Sequence, residues 1–168
     1  TRETCDSVVR IDAYAVPKDS DPLKALSDPP FEELEDSWKT DAGKSYKLMR
    51  TKMEVKSAEG CLVFYIQRFA DPSSVCRNSV CMPMSTQDSK GNTFNVYSVV
   101  CHFGSGLSGH YVTLVRHGGA WYVYDDMDTT KVLGDNKIDD TRAKLYLEHH
   151  GALWVYLHTN VHANDRPE

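Results

Sequence analysis

Three β-patterned runs follow one another between residues 95 and 126, separated only by short glycine-containing breaks: "NVYSVVCHF" (95–103), "HYVTLVRH" (110–117) and "AWYVYDD" (120–126). This succession constrains the fold more than any other feature of the chain. β-branched and aromatic residues fill each run, which suits a pleated, half-buried surface. The second break, "HGG" (117–119), makes a tight turn, because glycine takes positive φ without a Cβ clash. Strands joined so closely pair antiparallel.

Other segments arrange themselves around this meander. "CLVFYIQRF" (61–69) is almost continuously apolar and reads as a strand covered on both faces. "ALWVYLHT" (152–159) reads as a closing buried strand, and "SVVRIDAYAV" (7–16) and "SYKLMRTKMEV" (45–55) have period two. "DPLKALSD" (21–28) carries proline near a helix start, and "PPFEELEDSW" (29–38) reads as a further helical turn or two. "DDTRAKLYLEHHG" (139–151) has an aspartate cap, histidines in the last turn and Gly151 as its stop. Residues 70–92 read as loops with one edge strand, and 160–168 as a loose polar tail. The expectation is one α+β domain over 1–168, mainly an antiparallel sheet with a few short helices.

Bulk properties exclude some functions. The net charge of -5 disfavours a protein held to nucleic acid by phosphate contacts. No apolar run approaches the ~20 residues a membrane helix needs, so no membrane partner is expected. The five cysteines (Cys5, Cys61, Cys76, Cys81, Cys101) form no Cys-x-x-Cys, which argues against a zinc site built from two such knuckles; no metal or cofactor is expected. Cys61 and Cys101 lie inside apolar runs and are expected to be buried. Cys76 and Cys81 are expected to be free thiols rather than a pair, which suits a reducing compartment such as cytoplasm or nucleus.

The meander also places chemistry. His110 opens one strand and Asp125 ends the next, so the hairpin brings them together across the ladder. A neutral imidazole takes a proton from a thiol or hydroxyl, and works best when a carboxylate holds its other nitrogen. Asp126 falls on the opposite side of the strand. A histidine at a strand start and an Asp pair at a strand end are also ordinary surface features, as His102 and His117 nearby illustrate. The run "GSGLSG" (104–109) directly before His110 tips the balance toward a site, because it lets a backbone or thin substrate approach closely. His149 and His150 suit the C-terminal end of the helix dipole.

"YSVVCHFGSGLSGHYVTLV" followed by "AWYVYDDMDTTKV" resembles the histidine box of the ubiquitin-specific proteases, a papain-like family. "CLVFYIQRF" resembles that family's strand ending in Arg-Phe, and "GALWVYL" its closing strand. Weaker similarity extends upstream, to the palm and the base of the fingers. The resemblance implies a palm-like half of a papain-like cysteine protease fold. It implies that His110 is the general base and Asp125 its orienter, with Asp126 supporting the oxyanion or substrate. Gly109 and Tyr111 would border the channel for the ubiquitin tail, with Gly104, Ser105 and Trp121 as further channel residues and 104–109 as a gating loop. The implied partner is ubiquitin or a ubiquitin-like protein.

The family's cysteine box and the helical thumb that carries it have no counterpart here. The chain therefore matches the C-terminal half of such a domain. Its nucleophile is expected on a separate segment, and the apolar face left open is expected to bind the complementary half, another subunit or a second copy. Cys5, in "ETCDSVVR", is the alternative nucleophile of a compact papain-like protease, like the picornaviral leader proteases. A degenerate ubiquitin-binding or scaffold module is the non-enzymatic reading.

Overall fold

The meander forms the centre of an eight-stranded sheet, in a computed structural model that describes residues 8–16, 18–27, 32–39, 41–49, 55, 58–71, 74–125 and 136–160. Its strands are β8 (Thr93–Gly104), β9 (Gly109–His117) and β10 (Ala120–Tyr124). Gly118 and Gly119, at φ +57° and +80°, are the two turn residues between β9 and β10, and His117 pairs with Ala120. Two positive φ values in a two-residue turn match the right-handed strand twist.

The sheet extends both ways from this centre. β12 (Gly151–His158) lies against β8, then β4 (Cys61–Gln67), then β1 (Val9–Asp12). On the other side, β11 (Lys137–Ile138) pairs with β10. A short β7 (Ser85–Gln87) pairs with the first residues of β8. Only β1 on β4 is parallel within this sheet; the other pairings are antiparallel. Two small ladders lie apart from it: β2 (Glu32–Lys39) with β3 (Ser45–Met49), and β5 (Phe69–Asp71) with β6 (Ser74–Val75). The helices are α1 (Pro22–Ser27) and α2 (Asp140–His150).

One face of the sheet makes the core. Phe64, Trp154, Val99 and Leu114 form a continuous row across four strands, and each is at most 1% exposed. Phe64 meets Tyr156 edge-on at 5.5 Å. Ala143 and Leu147 of α2, with Val80 and Met82 from the 76–84 loop, join the same cluster. Asp139 starts α2 by accepting from the Arg142 amide at 2.8 Å. The opposite face carries Val63, Tyr65, Val100, Val115, Tyr122, Leu153 and Val155, all half-buried.

Several sequence expectations change here. The 61–69 run is not covered equally on both faces: Leu62, Phe64 and Ile66 are buried, whereas Val63, Tyr65 and Gln67 are half-buried. Cys61 is exposed, because it stands out of phase with Leu62 at the strand's first residue. Residues 32–39 form β2 rather than a helical turn; pairing with β3 outweighs the weak helix propensity of so short a segment. Residues 50–54 of the 45–55 strand, Cys5, Asp126 and the tail beyond 160 lie outside the described residues. Gly151 does not stop α2 through positive φ, since its φ is -56° and β12 begins there. It is glycine for space: a Cβ would lie 2.5 Å from the Leu147 carbonyl and 2.8 Å from Trp154 Nε1.

Phe64→Ala should lower unfolding stability by about 3–5 kcal/mol, as loss of a fully buried aromatic does. Val63→Ala, on the half-buried face, should cost less than half as much. Urea denaturation of the two variants measures the difference.

Candidate active site

β8 and β9 continue past the start of β12, and the site lies on this overhang. Gly151 pairs with Cys101, so β12 covers β8 only up to that residue. Beyond it the β8–β9 ladder adds three rungs: His102–Tyr111, Phe103–His110 and Gly104–Gly109. His110 therefore projects near the end of a two-stranded arm, on the same face as buried Val112 and Leu114.

Asp125 follows the last residue of β10. Thr113 faces Tyr124, so the regular register carried one step further sets Asp125 opposite Val112, and its carboxylate reaches His110 diagonally. His110 Nε2 lies 2.8 Å from Asp125 Oδ1, with both side chains about one-third exposed. With the Nε2 proton donated to Asp125, the basic nitrogen of the neutral ring is Nδ1. Among the described residues, no cluster of three His, Cys, Asp or Glu side chains is placed to hold a metal ion.

The loop before His110 is a tight turn held by its own serines. The Ser105 amide donates to the Ser108 carbonyl at 2.8 Å, and the Ser108 amide to Ser105 Oγ at 3.2 Å. Both flanking glycines are required. Gly104 has φ +108°, and a Cβ there would lie 2.7 Å from Gly109 Cα. A Cβ on Gly109 would collide with the His102 ring and come 2.7 Å from the Phe103 carbonyl. Leu107 at the tip is 78% exposed and Tyr111 is 57% exposed. Tyr111 packs on the His102 ring at 4.6 Å, and Phe69 meets that ring edge-on at 5.1 Å. Trp121 is instead 6% exposed and belongs to the core, where it pairs with Arg116 and Ile138; it does not face the surface.

Two arginines hold the ground beneath the arm, neither of them among the expected site residues. Arg68, 2% exposed, donates to four carbonyls: Gly151 (2.9 Å), Cys76 (3.3 Å), Asn78 (3.1 Å) and Glu148 (2.7 Å). Burial pulls its pKa down to about 10, which still leaves it charged at neutral pH. Arg77 donates to the His102 carbonyl at 3.0 Å and to the Gly104 carbonyl. His149 Nδ1 donates to the Arg77 carbonyl at 2.8 Å, and His150 Nδ1 lies 3.1 Å from the His102 carbonyl. The helix-end histidines thus bind specific carbonyls of neighbouring segments. A charged residue closing an apolar strand was the only available hint at Arg68; Arg77 sits in a polar loop with no distinguishing pattern.

The four described thiols are engaged elsewhere or remote from His110. Cys101 is close in register to His110, but burial pushes its thiol up to about 12 and its sulfur donates to the Tyr146 carbonyl. Cys76 is buried and directed at the Ala13 carbonyl, and Cys81 at Glu148. Cys61 shares a rung with Leu157 and Asn95, eight residues along β8 from the Phe103–His110 rung, or roughly 26 Å. All four are free thiols, Cys76 and Cys81 included.

The sequence profile of the ubiquitin carboxyl-terminal hydrolases matches residues 13–147. The chain belongs to this family. Ubiquitin carboxyl-terminal hydrolase 12 of Saccharomyces cerevisiae is 24% identical over 133 residues, covering 70% of this chain and 11% of the yeast protein. Among solved structures, a SAGA DUB module of Ubp8, Sgf11, Sus1 and Sgf73 bound to monoubiquitin aligns with a TM-score of 0.62. Identity there is 16%, over 89% of this chain and 34% of the solved one. The same module bound to ubiquitin aldehyde aligns with a TM-score of 0.63 at 14% identity, over 89% of this chain and 35% of that one. These identities speak for the fold alone: an α+β, mainly antiparallel palm of ubiquitin-specific-protease type. The chain spans about a third of the solved chains and a smaller part of the yeast hydrolase.

Two expectations follow from this geometry. Gly109→Ala should abolish productive placement of His110 while leaving the distant β4–β12 ladder intact, seen as amide shifts confined to the arm. Burial and Arg77 hold His102 below the usual histidine value of 6.5, and burial leads the same downward shift at His150. Both therefore fold neutral, and the unfolded chain binds more protons. Their contribution is complete above about 6.5 and is lost as pH falls through the lower folded values. Thermal midpoints from about pH 8 to about pH 5 should drop, and His150→Gln should flatten the slope.

Proposed function

We propose that this chain supplies the general base and its orienting carboxylate to a thiol hydrolase that cleaves after the C-terminal glycine of ubiquitin or a ubiquitin-like protein. The observation carrying this reading is the 2.8 Å bond from His110 Nε2 to Asp125 Oδ1, beside a loop bounded by two obligatory glycines. Membership of the hydrolase family supports it, as do solved neighbours that hold monoubiquitin and ubiquitin aldehyde.

In this mechanism His110 Nδ1 takes the thiol proton, and the thiolate attacks the carbonyl carbon of the terminal glycine. The tetrahedral adduct collapses to a thioester as the imidazolium returns its proton to the leaving amine. Water, deprotonated by the same imidazole, then hydrolyses the thioester and frees the thiol. Asp125 keeps the proton on Nε2 and balances the imidazolium charge. Asp126 stands next in sequence as an aid to the oxyanion or substrate. Gly104, Ser105, Gly109 and Tyr111 line the approach of a thin Gly-Gly tail.

The contacts that engage Cys76, Cys81 and Cys101, and the distance of Cys61 from His110, favour a nucleophile elsewhere: on a complementary segment or subunit, or at Cys5. The solved neighbours' Sgf11, Sus1 and Sgf73 are a precedent for further subunits on such a fold. The test is hydrolysis of a ubiquitin C-terminal fluorogenic amide by the 168-residue chain and by the full-length protein, with Cys5→Ala, His110→Ala and Asp125→Asn beside each. His110→Ala should reduce kcat/KM by about 10²-fold or more, the usual worth of a general base. Loss of activity with Cys5→Ala would assign the nucleophile to Cys5. A His110→Ala protein as active as the parent would sink the enzymatic reading. Ubiquitin binding without turnover, in the full-length protein together with its subunits, would identify a binding module.

A further inference from the structure

β8 loses its neighbour one residue before the site begins, and the backbone has to be satisfied by something else. β12 ends its pairing at Gly151–Cys101, while β8 runs on to Gly104. In a ladder, alternate residues direct their carbonyls to the same edge, so His102 and Gly104 turn theirs to the side that β12 has vacated. The Arg77 guanidinium occupies that side. Nη1 donates to the His102 carbonyl and Nη2 to the Gly104 carbonyl, one fork across two successive outward carbonyls.

Neighbouring contacts fix the fork itself. The Arg77 carbonyl accepts from His149 at the end of α2, and Nη1 lies 3.2 Å from His150 Nδ1. The His150 ring stacks on Phe103 at 4.1 Å, and Phe103 is the residue opposite His110. The two-stranded arm is thereby held at its outer edge by Arg77 and on its core face by His150 and Tyr146.

We propose that Arg77 is a positioning residue that replaces the missing strand beside the end of β8 and so sets the Phe103–His110 and Gly104–Gly109 rungs. It acts on the reaction through His110 and touches neither substrate nor the reacting atoms. A planar fork is needed: lysine has the charge but presents a point donor that cannot span both carbonyls.

The inference rests on the hydrolase reading only for its catalytic consequence, so the test has two arms. In the first, amide hydrogen exchange is followed in the parent chain, Arg77→Lys and Arg77→Ala. Exchange at Phe103, Ser105 and His110 should speed by about tenfold or more in both variants, with β4 and β12 unchanged. Uniform acceleration across the sheet would make Arg77 a general stabiliser, and unchanged exchange on the arm would show no hold at all; either overturns the proposal. In the second arm, Arg77→Lys should lower kcat for the ubiquitin amide by about tenfold with KM little changed, as misplacement of a general base does. An unchanged kcat with a loosened arm would overturn the link to His110. A parent protein that stays inactive together with its complementary segment or subunits would refute the proposed reaction, and hydrogen exchange alone would then decide Arg77's role.

Discussion

Arg68 ties together three segments that lie beneath the site. Its four hydrogen bonds reach the start of β12, the last turn of α2 and two points of the 76–80 loop. The Glu148 carbonyl also accepts from the Val80 amide at 3.0 Å, so Arg68 there joins an existing link between helix end and loop. A guanidinium suits this place because it presents several donors in a fixed plane and tolerates desolvation better than an ammonium does. Removing it would leave the loop that carries Arg77 and the helix end that carries His149 and His150 without a common anchor.

From that anchor the site is built outward in steps. The anchored loop presents Arg77, the anchored helix presents His150, and both act on the overhanging end of β8. That strand pairs with β9, which sets His110, and the Gly118–Gly119 turn returns β10 so that Asp125 meets its imidazole. The arm projects beyond the main sheet and is half open to solvent, where a substrate could approach. Its precision comes from the buried layer below: His102 fills the space that Gly109 leaves by lacking a Cβ, and Tyr111 closes over it.

Much of this was legible in the chain itself. The meander, its glycine turn, the Asp139 cap and the His110–Asp125 pairing are local or nearest-neighbour features, set by periodicity and by turn chemistry. The resemblance to ubiquitin-specific proteases rested on the same stretch. Residues 32–38 form a strand where a helical turn is expected, because helix propensity is a weak, local signal, whereas the ladder to β3 is made with a partner strand outside the segment. The even covering expected for 61–69 failed for a related reason. An unbroken apolar run states that residues are apolar, not which face a second layer will cover.

The sequence by itself determined the β8–β9–β10 meander and that one histidine and one aspartate meet across its hairpin. Those follow from side-chain period and from the short reach of a two-residue turn. Tertiary structure alone decided that β12 stops at Gly151 and leaves the end of β8 uncovered, that Arg77 takes over two of its carbonyls, that Arg68 gathers those of β12, α2 and the 76–80 loop, and that Trp121 turns inward. The physical reason is distance along the chain. Arg68 and Arg77 find their partners up to 83 residues away, and a polar side chain in a loop carries no mark of the carbonyl it will meet.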